Sequence, residues 1–183
     1  MRILIVGPPG AGKGTQAAVL SKELGVPHIS TGDLFREHVG AETKLGKMVK
    51  EYLDSGKLVP DQVTNEMVRE RLSEEDCEAG FLLDGFPRTV PQAEVLAAML
   101  RDRDCDLDVV LQLDVPEDVV IGRLLARGRE DDNEGVIRHR QHVYRVETAP
   151  LLHFYADRLV SVPAVGSIED VTARALAALR GPA

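Results

Sequence analysis

The chain has 183 residues, 44% of them hydrophobic and 28% charged, and a formal net charge of −8. That length suits one domain with its own core and at most a small inserted lobe. The acidic balance argues against nonspecific nucleic-acid or membrane-surface binding, although a negative protein still binds phosphate by gathering its cations locally. Cys77 and Cys105 stand far apart and form no CxxC pair, so free thiols in a reducing compartment are expected. The apolar run of "MRILIVGPPG" is too short for a signal peptide, and no segment approaches the length of a membrane span. A cytoplasmic location is the expectation.

In chain order, "RILIV" (2–6) reads as a buried strand ending in glycine. "KGTQAAVLSKELG" (13–25) places Ala17, Leu20 and Leu24 at helical spacing and stops at Gly25. "VPHIS" (26–30) is a second strand. Residues 31–75 are helical in pieces, with breaks at Gly40 and at "DSGKLVPD" (54–61). "GFLLDGFPR" (80–88) is a third strand running into a loop, followed by a helix over 89–103 with Pro91 in its first turn. "LDVVLQLDV" (107–115) is the fourth strand. "PEDVVIGRLLAR" (116–127) opens with a proline and two acids, as helices do. After the charged run 127–140 comes a helix through "HVYRVETAPLLHFYADR", then a fifth strand over 159–165 and a last helix over 167–180. Strands alternate with helices, and the strands are continuous apolar runs. That pattern predicts an α/β fold with a five-stranded parallel sheet covered by helices on both faces. The widest gap between strands, 30 to 80, holds only helices and loops and predicts a lobe off the sheet edge.

"GPPGAGKGT" (7–15) follows the first strand and fits GxxxxGK with Gly7, Gly12 and Lys13. Such glycines let consecutive backbone N–H groups face one concavity, and the following helix adds the partial positive charge of its N-terminus. Lys13 supplies a mobile charge for the terminal phosphates, and Thr15 a hydroxyl for phosphate or magnesium. The overlapping "GKGTQA" imitates a dinucleotide fingerprint, with Asp33 at a plausible distance. It begins too late after the strand, however, and that fold has no use for a lysine in the loop.

A phosphate loop alone does not separate a switch from a kinase. "STGDLFR" (30–36) follows the second strand, where Ser30 or Thr31 can cap a helix. "DGFPR" (84–88) follows the third, at the carboxyl edge where open α/β sheets bind ligands. There Asp84 suits a helper for hydrated magnesium, Gly85 permits close approach, Pro87 stiffens the loop and Arg88 is a forked phosphate donor. Gln92 carries a donor and an acceptor that can read a base edge. "SGKLVP" (55–60) is a glycine-hinged apolar patch whose backbone can meet a base or ribose. "RGREDDNEGVIRHR" (127–140), taken alone, is a mixed-charge run of the kind that usually forms a solvated face.

"GPPGAGKGTQ", "ISTGDLFR", "GKLVPD", "FLLDGFPRT" with Gln92, and the later arginines occur in an order that resembles the adenylate kinases over essentially the whole chain. The resemblance implies a P-loop nucleoside monophosphate kinase fold and reversible transfer of the terminal phosphoryl group of ATP to AMP. It implies a core of 1–29, 60–125 and 133–183, a helical NMP-binding lobe at 30–59 and a short lid at 126–132. By position, Gly10, Ala11, Gly12, Lys13, Gly14, Thr15, Arg127 and Gly166 would meet ATP. Thr31, Arg36, Lys57, Leu58, Val59, Gly85, Phe86, Pro87, Arg88, Gln92, Arg129 and Arg140 would meet AMP. Lys13, Arg88, Arg123, Arg129 and Arg140 would carry the transfer, and Arg138 would face solvent. Gly128 and Gly135 are expected to flex the ends of the lid, and Asp131 or Asp132 to orient an arginine.

The long form of this family has an inserted lid, in some members pinned by four cysteines and zinc. Here neither the length nor the cysteines are present, so Mg2+ carried by the nucleotide is expected, with no dedicated protein metal site and no zinc. The expected partners are ATP and AMP, with no nucleic acid and no membrane, and a monomer. A UMP/CMP kinase is the near alternative, but those enzymes tend to carry a small residue and an asparagine where Thr31 and Gln92 stand. A P-loop switch is the alternative from another class. A guanine-specific one should carry N-K-x-D after a late strand, and this chain has none.

Overall fold

The computed structural model describes residues 1–128 and 133–181. Its strands are β1 (Arg2–Val6), β2 (His28–Ser30), β3 (Phe81–Asp84), β4 (Val109–Asp114) and β5 (Leu159–Pro163). They form one five-stranded sheet in the order β2-β3-β1-β4-β5, and every pairing is parallel. Side chains alternate across the sheet, so the central strands β3, β1 and β4 each feed two cores. From β1, Leu4 and Val6 join one cluster with Leu83, Phe86 and Val110, while Ile3 and Ile5 join the other with Leu82, Leu111 and Val162. This double burial is why the strands read as unbroken apolar runs.

The first cluster is closed by α4 (Asp61–Leu72), through Val68 and Leu72, and by α5 (Val90–Arg101), through Ala93, Leu96 and Leu100. The second is closed by α1 (Lys13–Leu24), α6 (Glu117–Arg127) and α9 (Ile168–Arg180), through Leu20, Val120 and Ala175. Two further helices, α2 (Thr31–Gly40) and α3 (Lys44–Ser55), pack on a small third cluster of Phe35, Val49 and Val59, flanked by Val39, Leu45 and Tyr52 and, from α4, by Val63 and Met67. The helical excursion between β2 and β3 therefore has a separate miniature core.

Strands are shorter than expected at both edges. β2 begins at His28, after Pro27, which has no N–H to give a ladder. β5 stops at Pro163, where Ala164 still donates to Asp114. The charged run 127–140 also divides. Its last part, 134–140, forms most of α7 (Glu134–Val143), started by Asn133, whose side chain accepts from Val136 N–H at 3.0 Å. Gly135 lies inside that first helical turn, so the hinge assigned to it is corrected: its backbone is helical. Gly128 caps α6 in the left-handed region at φ 66°, a position glycine fills without strain. A π-helical segment (Tyr144–Thr148) continues α7 into the short α8 (Pro150–Phe154). Arg129, Asp131 and Asp132 lie outside the described residues. No helix among the described residues is long and apolar enough to cross a membrane.

Candidate active site

In the sheet β1 is flanked by β3 and then β2 on one side, and by β4 and then β5 on the other, so the chain switches sides of β1 between β3 and β4. Loops from the carboxyl ends of β1 and β3 diverge at that switch and open a crevice. A cavity of about 700 Å³ occupies it. Gly10, Gly12, Lys13, Gly14 and Thr15 line its floor, and Arg123, Arg127 and Arg140 line another wall. Thr31, Arg36, Lys57, Leu58, Val59, Gly85, Pro87, Arg88 and Gln92 line the end toward α2 and α3. Most of the residues singled out in the sequence thus converge on one cavity, from segments far apart in the chain.

Three expected residues stand differently. Ala11 is 2% exposed and packs into the core behind the loop, and Phe86 is fully buried in the opposite core cluster. Neither side chain lines the cavity, because the chain turns past them toward the sheet. Gly166 does not line it either. A Cβ there would lie 3.2 Å from the Arg174 guanidinium, which donates to the Val165 carbonyl at 2.6 Å. Any contact these three make with a ligand is through main chain. Arg129 lies outside the described residues.

The glycine at position 10 is sterically obligatory. It holds φ 89°, and a Cβ would come within 2.6 Å of the Val120 carbonyl oxygen on α6. Gly85, at φ 84°, has the same constraint from the other side, since a Cβ would sit 2.7 Å from Thr31 Oγ1. That close approach seats the buried Thr31 hydroxyl directly over the loop after β3. Ser30 rather than Thr31 caps α2, accepting from Asp33 N–H at 3.2 Å, so the Thr31 side chain is left to the cavity.

The cations are positioned by main-chain carbonyls. Lys13 Nζ donates to Gly7 O at 2.7 Å and Pro8 O at 3.1 Å. Arg123 donates to Ala11 O at 3.3 Å and Ala164 O at 3.0 Å, tying α6 to the phosphate loop and to the end of β5. Arg88 Nε donates to Gly85 O at 2.8 Å, and Arg140 donates to Leu53 O at 3.2 Å across the cleft onto α3. Arg36 pairs with Asp33 one turn earlier in α2. Arg138 is exposed and pairs with Glu134 at 2.7 Å.

Burial in the cleft, with a smaller contribution from its neighbouring cations, shifts two of its basic groups. Desolvation lowers the Lys13 ammonium to about 8, Asp84 opposes this, and Arg88 and Arg127 add to it. Desolvation likewise lowers the Arg88 guanidinium below its ordinary range, with Asp84 opposing and Arg140 and Arg36 contributing. Both groups are better stabilised once an anion enters. The Asp84 carboxylate faces the cavity beside the phosphate loop, 3.8 Å from where a Cβ of Gly14 would be and 3.7 Å from His28 Nε2.

Some lining residues were not legible in the sequence. Tyr144 and Thr148 reach the cavity from the π-helical segment, and no periodic signal marks that. Gln141 donates to Pro9 O at 2.8 Å, bracing the phosphate loop from a helix 132 residues further along.

Comparison with known proteins shows the family. The adenylate kinase family model matches residues 5–160. An adenylate kinase of Rhodococcus erythropolis is 59% identical over 179 residues, covering 98% of this chain and 99% of the relative. Adenylate kinases of Corynebacterium diphtheriae and Corynebacterium glutamicum are 59% and 57% identical over the same share of each chain. The chain belongs to the adenylate kinase family.

Proposed function

We propose that this adenylate kinase transfers the terminal phosphoryl group of ATP to AMP, giving two ADP, within the cleft between the phosphate loop and the α2–α3 lobe. The observation that carries the reading is that a single cavity holds both a P-loop and, at its other end, a second set of groups: Thr31, Gln92, Arg36 and Arg88. A switch or a simple ATPase has no use for the second set. ATP phosphates lie on the loop from Gly10 to Thr15, with Lys13 and Arg123 on the transferring group. Arg88, Arg36 and Arg140 hold the phosphate of AMP, and Thr31 and Gln92 meet its base.

No general base is assigned, because the attacking phosphate oxygen of AMP is already anionic at neutral pH. The barrier is the approach of two polyanions and the charge on the phosphoryl in flight, which cations and backbone N–H groups stabilise. Residues 30–59 act as a closing lobe and 126–132 as a short lid that keeps water from the phosphoryl group.

Mg2+ enters with the nucleotide. Thr15 and Asp84 suit this: one hydroxyl and one carboxylate face the loop, enough to hold a hydrated ion but not to cage one. When bound, the ion offsets phosphate charge and orients the chain of oxygens. We read the protein as a cytoplasmic monomer acting on small molecules.

The test is an assay of ADP formation from ATP with AMP, UMP, CMP or GMP in turn. AMP should be strongly preferred, and a preference for UMP or CMP would overturn the substrate assignment. A pH series adds a second check. Burial lowers the Lys13 amine to about 8, and a bound polyphosphate should raise that value by favouring the charged form. ATP affinity should therefore be flat from pH 6.5 to about 7.5 and weaken as pH rises through about 8, where binding must first restore a proton to the amine. Calorimetric titrations at several pH values read this directly. Affinity that is unchanged up to pH 9 would mean that Lys13 keeps an ordinary amine pKa.

A further inference from the structure

We propose that Asp61 is a specificity-determining positioning residue, whose carboxylate pins the Gln92 carboxamide in the one orientation that reads an amino-substituted purine edge. The inference rests on the AMP reading of the cleft and extends it to a residue outside the cavity wall. Gln92, on α5, is 2% exposed. Both ends of its carboxamide are engaged: Oε1 accepts from the Arg88 N–H at 2.7 Å, and Nε2 donates to Asp61 Oδ1 at 2.6 Å. A backbone N–H can only donate and a carboxylate can only accept. Rotating the carboxamide by half a turn would set N–H against N–H and oxygen against carboxylate. Two opposite pins thus permit one orientation.

The consequence is a fixed order of free valences. A carboxamide has two donors and two lone pairs, and each pin uses one. One acceptor and one donor remain, and their order is set. Adenine presents an amino donor beside a ring-nitrogen acceptor, which this order matches. Hypoxanthine and guanine present an oxygen acceptor beside a ring N–H donor, the same pair reversed. They require the flipped carboxamide, which the Arg88 N–H and Asp61 together forbid. Asp61 touches no ligand in this scheme and acts through Gln92. It is the first residue of α4, exposed, and does not line the cavity.

The competing account is that Asp61 merely places an acid at a helix N-terminus. Two variants separate the accounts, and since Asp61 is exposed neither threatens the core. Asp61→Ala removes the acceptor and the charge, whereas Asp61→Asn removes the charge but keeps an oxygen for Gln92 Nε2. With ATP saturating, kcat and KM are measured for AMP and for IMP in the wild type and both variants, alongside thermal melts. In Asp61→Ala, KM for AMP should rise about ten-fold with kcat held within about two-fold, and the AMP-over-IMP ratio of kcat/KM should fall about ten-fold. Asp61→Asn should recover most of that ratio. A helix-terminus role alone predicts equal melting shifts in both variants and an unchanged ratio, and that result would sink the proposal. The wild-type arm tests the underlying reading separately. If the wild type does not prefer AMP, the substrate assignment fails; if it does and Asp61→Ala keeps the wild-type ratio, only the role of Asp61 fails.

Discussion

Lys13→Met should lower kcat by about three orders of magnitude, the effect expected when a preorganised charge is removed from a phosphoryl in flight. In the ligand-free cleft the ammonium rests on its own loop, donating to the Gly7 and Pro8 carbonyls. Its stem is held by α1, so the group has only to swing from these oxygens to the phosphates. Methionine keeps a comparable stem and removes the charge. Stability should not suffer. Desolvation and two nearby arginines already lower this amine to about 8, which says that the folded cleft disfavours the charged form. At pH 7 the folded protein carries that cost and the unfolded chain does not, so deleting the charge should leave the melting temperature equal or higher. Single-turnover kinetics with a parallel thermal melt give both readouts. A kcat within ten-fold of the wild type would remove Lys13 from the transfer step.

Gly46→Ala should be the most destabilising small substitution in the α2–α3 lobe. In most exposed helix interiors this exchange stabilises by about 1 kcal/mol. Here the new Cβ would stand 2.0 Å from the His38 carbonyl oxygen, 2.4 Å from its carbon and 2.7 Å from Val39 N. All three are backbone atoms, so no side chain can swing aside. The first turn of α3, capped by Thr43 accepting from Gly46 N–H at 3.0 Å, would be forced off the end of α2. The overpacking should cost about 3 kcal/mol or more. The loss should stay local, because Phe35, Val49 and Val59 form a cluster separate from the two sheet cores. Thr31, Arg36 and Lys57 to Val59 would lose their places, so KM for AMP should rise steeply while ATP affinity holds. Hydrogen exchange would show amides 31–55 opening ahead of the sheet. Uniform loss of protection across both regions would contradict a separate lobe core.

How legible each residue was in the sequence follows from how local its cause is. Gly10 to Thr15 were legible because phosphate demands backbone N–H groups in a small concavity, and only glycines beside a lysine after a strand supply it. Arg88 and Gln92 are legible as a fork on the loop that a parallel sheet delivers to its carboxyl edge and a carboxamide four residues on, in the helix that follows. Ala11 and Phe86 belong to ligand-binding motifs, yet their side chains turn into the cores on either side of the sheet. Motif membership does not report which way one side chain faces. Gly135 was read as a hinge because glycine marks breaks, but Asn133 starts a helix just before it and the glycine is absorbed.

The sequence by itself determined the alternation of strands and helices, the burial of the sheet on both faces, the phosphate loop, and the residue types that face a nucleotide. These depend on periodicity and on chemistry confined to a few neighbouring residues. The tertiary structure alone decided the strand order, the separate small core under α2 and α3, the bracing of Pro9 by Gln141, and the pairing of Asp61 with Gln92 across 31 residues. A hydrogen bond between distant segments leaves no periodic trace. It exists only once packing has brought its donor and acceptor within reach, and the orientation of the base-reading carboxamide is set at that point.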